Sequence, residues 1–183
     1  MNMIDEIESV QAAADCLYNE QQVEEAISRL ASEITAQLKD RNPLLLCLMN
    51  GGVIFTGKLL TQLNFPLQVD YVHASRYRGK TAGSTLEWVH RPESVIENRV
   101  ILILDDILDE GITLNETIKF CQEKGAEAIY SAVLVEKELT IQKSCRADFV
   151  GLVAPDRYLF GYGLDYKHYL RNAAGIYACS NEE

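Results

Sequence analysis

Two short runs without a polar residue, LLLCLM at 44–49 and VILIL at 100–104, restrict the fold more than any other feature of the chain. A strand with one wetted face alternates apolar and polar side chains, so an unbroken apolar run of this length reads as a strand covered on both faces. Between such runs the spacing becomes helical. From Gln21 to Lys39, the residues Val23, Ala26, Ile27, Leu30, Ile34 and Leu38 recur at three- and four-residue steps, and Pro43 stops the pattern. VIFTGKLLTQL (53–63), after the turn Asn50-Gly51-Gly52, and TLNETIKFCQEKG (113–125) read as two more helices, with Gly125 as the C-terminal stop of the second. Strands are expected at LLLCLM, PLQVDYVHA (66–74), RVILIL (99–104), AIYSAVLVE (128–136) and DFVGLVA (148–154). The alternation predicts an α/β domain, a mostly parallel sheet flanked by helices.

At 183 residues the chain holds one ordinary core, so a single domain over 1–183 is expected. Its net charge of -10 argues against a nucleic-acid or acidic-membrane surface, which needs a basic footprint. Five cysteines, at 16, 47, 121, 145 and 179, show no CxxC pair and no metal-like spacing to histidine. They read as thiols of a reducing compartment. The longest apolar run is too short to cross a bilayer, and MNMIDEIESV lacks a basic start and an apolar signal core, so a cytoplasmic protein is expected.

SRYRGKTAGST (75–85) carries glycine, hydroxyl and basic residues with no periodicity, the composition of an exposed lid. In VILILDDILDEGITL (100–114) the buried strand ends on Asp105 and Asp106, at the sheet edge where open parallel sheets bind ligands. Adjacent carboxylates there repel each other unless a diol or a cation satisfies them. Asp109, Glu110, Gly111, Ile112 and Thr113 then lead into a helix whose first amides suit a phosphate monoester, Glu110 turning its own side chain to solvent. A diol clamp beside a phosphate cradle has the shape of ribose 5-phosphate. A dinucleotide site is disfavoured by the missing GxGxxG, and a P-loop by the lack of a full GxxxxGK[ST], since Ala74 stands where its first glycine would precede Gly79-Lys80-Thr81.

The same segment resembles the phosphoribosyl-diphosphate (PRPP) signature of type I phosphoribosyltransferases. From Val23 to Cys179 the chain is similar to the hypoxanthine-guanine phosphoribosyltransferases, with LMNGG (48–52) in place of the pyrophosphate loop, SRY (75–77) in place of the lid, and VAPDRYLFGYGLDYKHYLR (153–171) in place of the purine and metal segment. The resemblance implies the type I fold with a small hood, formed by the N-terminal segment and residues about 153–183. It implies transfer of phosphoribose from PRPP to hypoxanthine or guanine, giving IMP or GMP and pyrophosphate, with Mg2+ as cofactor and a homodimer or homotetramer as the assembly.

Residue by residue, the resemblance places Asp105 and Asp106 on the ribose diol and its magnesium, and Asp165 as a further magnesium ligand. Asn50, Gly51, Gly52 and Arg171 face pyrophosphate, and Ser75, Arg76 and Tyr77 form the lid. Lys137 donates to the purine 6-oxo group, Tyr158 stacks on the ring, and Leu159 with Asp165 reads the exocyclic edge. Asp109 meets the proton on purine N7. A cis peptide is implied at Met49-Asn50. Asn50 stands where the family often has a basic residue, and Glu110 where a small hydroxyl residue is common. The alternatives are a PRPP-binding regulatory protein on the same fold, and transfer to xanthine, adenine, uracil or orotate. His73, His90 and His168 have no catalytic pairing, and Trp88 is expected to pack at the base of the lid.

Overall fold

The computed structural model describes residues 2–76 and 86–180. Its main sheet has six strands in the order β4-β3-β2-β5-β6-β7. They are β2 (Leu44–Met49), β3 (Gln68–Arg76), β4 (Leu86–His90), β5 (Val100–Leu108), β6 (Ala128–Glu138) and β7 (Phe149–Pro155). All neighbours run parallel except the edge strand β4, which pairs antiparallel with β3. The apolar strands alternate between two cores, as strands buried on both faces must. Leu45, Leu102 and Leu104 join one cluster with Ile27, Leu30, Ile34 and Phe55, while Leu44, Leu46, Ile101 and Ile103 join another with Leu114, Phe120 and Cys121.

The helices on these faces form where the periodicity places them. Helix α2 (Glu20–Leu38) opens on a reciprocal capping box, Asn19 accepting from the Gln22 amide while Gln22 accepts from the Asn19 amide. Its stripe of Val23, Ala26, Ile27, Leu30, Ala31, Ile34 and Leu38 is buried. Helix α3 spans Val53–Leu60 and α4 spans Ile112–Glu123. Gly125, at φ +77°, takes the left-handed conformation that ends α4.

Three strands, β5, β3 and β4, depart from the sequence reading. β5 does not stop at Leu104: its pairing with β6 runs on to Leu108 and Glu136, so Asp105 and Asp106 lie within the strand and the acidic turn starts at Asp109. Ser75 and Arg76, expected in the lid, end β3, and Leu86–His90 returns as β4, while Tyr77 and the rest of the expected lid to residue 85 lie outside the described residues. Trp88 packs on Phe120 of α4, with ring centroids 5.0 Å apart.

The N-terminal segment forms α1 (Met3–Ala13) and β1 (Asp15–Asn19). β1 pairs with β9 (Gly175–Ala178), and β9 with β8 (Leu159–Phe160), making a second, antiparallel sheet in the order β1-β9-β8. Ile7 of α1 packs with Phe160, Tyr166 and Leu170 in a third, small cluster.

Strand order fixes where a ligand can enter. The chain leaves β2 toward β3 on one side and returns to β5 on the other, so the sheet reverses direction between β2 and β5. At such a switch point the loops after the two strands part and open a crevice. Here those loops are residues 50–52 and 109–111. The α2 stripe holds the sheet behind this crevice. Ile34→Ala should cost about 2–5 kcal/mol by removing buried methyl groups from a site with no exposure, read as a lower urea midpoint at unchanged slope.

Candidate active site

Two adjoining cavities occupy the switch point. The first, about 390 Å³, is lined by the β2 loop (Met49, Asn50, Gly51), by Asp105, Asp106 and Asp109, by the start of α4 (Gly111, Ile112, Thr113), and by Asp165 and Arg171. The second, about 280 Å³, is lined by Asp106, Ile107, Asp109, Lys137, Tyr158, Leu159, Leu164 and Asp165. Asp106, Ile107, Asp109 and Asp165 face both, so a ligand in one meets a ligand in the other across these side chains.

The floor is the acidic end of β5. The Asp105 carboxyl is pushed well above the ordinary carboxylate range, first by burial, then by the charge of Asp106 and a hydrogen bond between the two side chains. Asp106 is also raised by burial, opposed by the bond from Asp105 and by the charge of Arg171. Asp105 further accepts the Asp106 amide at 2.9 Å. Asp106 sits directly against Gly51: a Cβ on that glycine would fall 2.3–2.5 Å from its carboxylate atoms. Only a residue without a side chain lets the loop close over the acid.

The loops around this floor differ in what they can donate. The Met49-Asn50 peptide is cis. Asn50 and Gly51 line the first cavity, but Gly52 does not serve as expected, because it is buried and its amide already bonds the Leu48 carbonyl at 2.8 Å. Gly111 takes φ +78° as the N-cap of α4, leaving the helix's first amides without a capping side chain at the cavity wall. Glu110 is half-buried, and the cavity lining passes from Asp109 to Gly111 without it, so its carboxylate does not face the cavity; its carbonyl accepts the Ser144 amide at 2.9 Å.

The far wall comes from residues 158–171. Gly161 and Gly163 turn at φ +101° and +108°, and an added Cβ on Gly163 would lie 2.0 Å from the Gly51 carbonyl, so backbone packs on backbone. Asp165 is held on both oxygens: Arg171 Nη2 lies 2.7 Å from Oδ1, and the His168 amide donates to Oδ2 at 2.7 Å. The other Arg171 amino group, Nη1, donates to the Gly163 carbonyl. This pair modifies the picture of Asp165 as an open ligand, because its carboxylate is already shared with a guanidinium.

In the second cavity Lys137, only 13% exposed, lies 3.5 Å from Asp109 Oδ2 and 3.4 Å from Asp156 Oδ1. Tyr158, half-exposed, meets Tyr166 edge-on with centroids 5.5 Å apart, and the buried Leu159 completes the wall. Several contributors escaped the sequence reading. Asp156 carries no pattern of its own. Lys143 donates to the carbonyls of Leu108 and Lys137, and Cys145 Sγ lies 3.4 Å from the Gly111 carbonyl. Together with Ser144 they clip the underside of the turn at 109–111, a long-range arrangement without a local signal.

The phosphoribosyl transferase domain profile matches residues 13–167. The chain is 31% identical to the hypoxanthine-guanine-xanthine phosphoribosyltransferase of Tritrichomonas foetus, covering 93% of this chain and 90% of that one. It is 30% identical to the hypoxanthine-guanine phosphoribosyltransferase of Bacillus subtilis, covering 85% and 87%. Among solved structures, a hypoxanthine-guanine-xanthine phosphoribosyltransferase aligns at TM-score 0.78 with 28% identity, over 91% of this chain and 94% of that one. A Staphylococcus aureus hypoxanthine phosphoribosyltransferase shares the fold at TM-score 0.87 with 24% identity, over 98% and 96%. A cleft built on twin acids at the strand switch, a profile spanning most of the sequence and relatives at this identity lead to one conclusion: the chain belongs to the phosphoribosyltransferase family.

Proposed function

We propose that the protein transfers the 5-phosphoribosyl group from PRPP to hypoxanthine or guanine, giving IMP or GMP and pyrophosphate. The observation that carries this reading is the pair of cavities meeting over Asp106, Ile107, Asp109 and Asp165, one walled by a helix start and the other by a lysine and a tyrosine. PRPP would lie in the first with its 5-phosphate on the amides of Gly111, Ile112 and Thr113, where the helix dipole favours an anion. Its ribose hydroxyls would meet Asp105 and Asp106, and its pyrophosphate would face Asn50, Gly51 and the guanidinium of Arg171.

The purine fits the second cavity. Lys137 has donors and no acceptor, so it pairs with a 6-oxo group and is mismatched against the 6-amino group of adenine. Tyr158 offers a ring face at the mouth, and Leu159 with Asp165 borders the exocyclic edge. Asp109 lies between the cavities with an ionisable carboxylate next to Lys137, placed to take or share the N7 proton as the bond to ribose forms. Arg171 and the loop amides stabilise the negative charge that builds on departing pyrophosphate. The lid role that the resemblance gives Ser75, Arg76 and Tyr77, excluding water from the reacting atoms, belongs to the same reading.

The acids at the floor also suit Mg2+. Hard carboxylate oxygens match a hard cation, and since among the described residues no three such side chains converge on one point, in this cleft or elsewhere, most of the coordination would fall to substrate oxygens and water. Asp105 and Asp106 would hold it through the ribose side and Asp165 from the far wall, and the bound ion would neutralise pyrophosphate charge. The same reading includes assembly as a homodimer or homotetramer and residence in the cytoplasm. No helix among the described residues is long and apolar enough to cross a membrane.

A spectrophotometric assay of PRPP with each base tests the reading. Nucleotide should form from hypoxanthine and guanine and not from adenine, uracil or orotate. Failure with both oxopurines, with PRPP still bound, would favour a regulatory protein. Asp109→Asn should lower kcat by about 100-fold or more and change PRPP affinity by less than about 3-fold, the signature of a proton-handling group. Asp105→Asn should abolish turnover yet raise the melting temperature of the ligand-free protein at pH 7. The sign follows from its raised pKa: between the unfolded value near 3.9 and the folded one, the native state binds the extra proton, so stability falls as pH rises through that window. The gain from Asn should therefore shrink toward pH 4.

A further inference from the structure

Helix α1 precedes the part of the chain that the family profile matches, which begins at residue 13, the last residue of this helix. It is nonetheless built into the fold. Asn2 and Asp5 cap it reciprocally, and Ile7, 6% exposed, packs among Phe160, Tyr166 and Leu170. One oxygen, Glu6 Oε1, accepts both the Tyr166 hydroxyl at 3.0 Å and the Lys167 ammonium. Lys167 Nζ in turn lies 5.5 Å from the Tyr166 ring centroid.

These attachment points bracket the far wall of the cleft. Tyr166 and Lys167 directly follow Asp165, and Leu170 directly precedes Arg171. The turn between them is unusual backbone: Lys167, His168 and Leu170 take φ of +48°, +70° and +63°, a region that residues with a Cβ rarely occupy. The bridge between Tyr166 and Tyr169 is the turn's own pairing. A conformation of this kind persists when surrounding structure over-determines it, and α1 supplies that surrounding structure on the outer side. An isolated helix of 11 residues is in turn marginal in water, so the docking holds both partners.

We propose that Glu6 is a positioning residue: through Tyr166 and Lys167 it fixes the 165–171 turn, and with it the Asp165–Arg171 pair, in the geometry that receives the pyrophosphate end of PRPP. The assignment rests on the function proposed above for that pair. α1 then acts on the Asp165–Arg171 pair from behind, without touching substrate.

The test uses the full chain with Glu6→Ala and Glu6→Gln, read by hydrogen exchange of peptides covering 163–172 and by steady-state kinetics. Glu6→Ala should speed exchange in that segment about 5-fold or more while β5 peptides stay unchanged. It should raise KM for PRPP by about 3- to 10-fold and KM for hypoxanthine by less, since Tyr166 meets Tyr158 only edge-on. Glu6→Gln still accepts from the Tyr166 hydroxyl and should fall between Ala and wild type. Unchanged exchange in 163–172, or faster exchange with an unchanged KM for PRPP, overturns the proposal. Should Glu6→Ala not fold, Lys167→Met removes the same ion pair from the other side and is read by the same two measurements. Wild-type protein that makes no nucleotide from any base would defeat the functional reading, and exchange alone would still decide whether Glu6 holds the turn.

Discussion

Two carboxyls held together at the floor of a cleft cannot both ionise at little cost, and the site is arranged around that conflict. The strand that carries Asp105 and Asp106 is anchored by apolar residues on both faces, so the acids cannot retreat from each other without disturbing the core. In the protein alone, burial and the charge of Asp106 push Asp105 toward its neutral form, while the positive field of Arg171 favours the charged form of Asp106. A ligand that brings hydroxyl donors or a cation meets it better. The cleft thus holds part of its binding energy as an unsatisfied demand, and the order of strands places this demand where two loops part.

Much of that arrangement could be read from the chain. Apolar runs announced the parallel strands, three- and four-residue spacing announced α2, and the acids before Gly111 announced the edge where the cleft opens. The reading stopped β5 at Leu104 because it used side-chain polarity to end a strand. Backbone pairing with β6 ignores polarity and continues to Leu108. β4 was missed because five residues at a sheet edge, LEWVH, give too short an alternation to separate from the loop before them.

The walls were less legible than the floor. Tyr162, Lys167, His168 and Leu170 all take positive φ, yet none is glycine or asparagine, so their identities do not declare the turns they make. The ion pair of Asp165 with Arg171 depends on those turns and was hidden with them. Lys143 and Cys145 reach the turn at 109–111 from a segment without periodicity, through contacts that no spacing rule encodes. Gly52 shows the reverse error: a glycine suited to donate its amide to a ligand spends it on Leu48 instead.

The close approach of Gly163 to the Gly51 carbonyl has a wider consequence. Two segments from opposite ends of the sequence touch there through main chain alone, with no side chain between them to flex or be exchanged for a smaller one. Neither can drift during evolution or breathe in solution without moving the other. The loop after β2 and the far wall of the cleft therefore form one mechanical unit, and a change tolerated in one of the two glycines depends on what stands at the other.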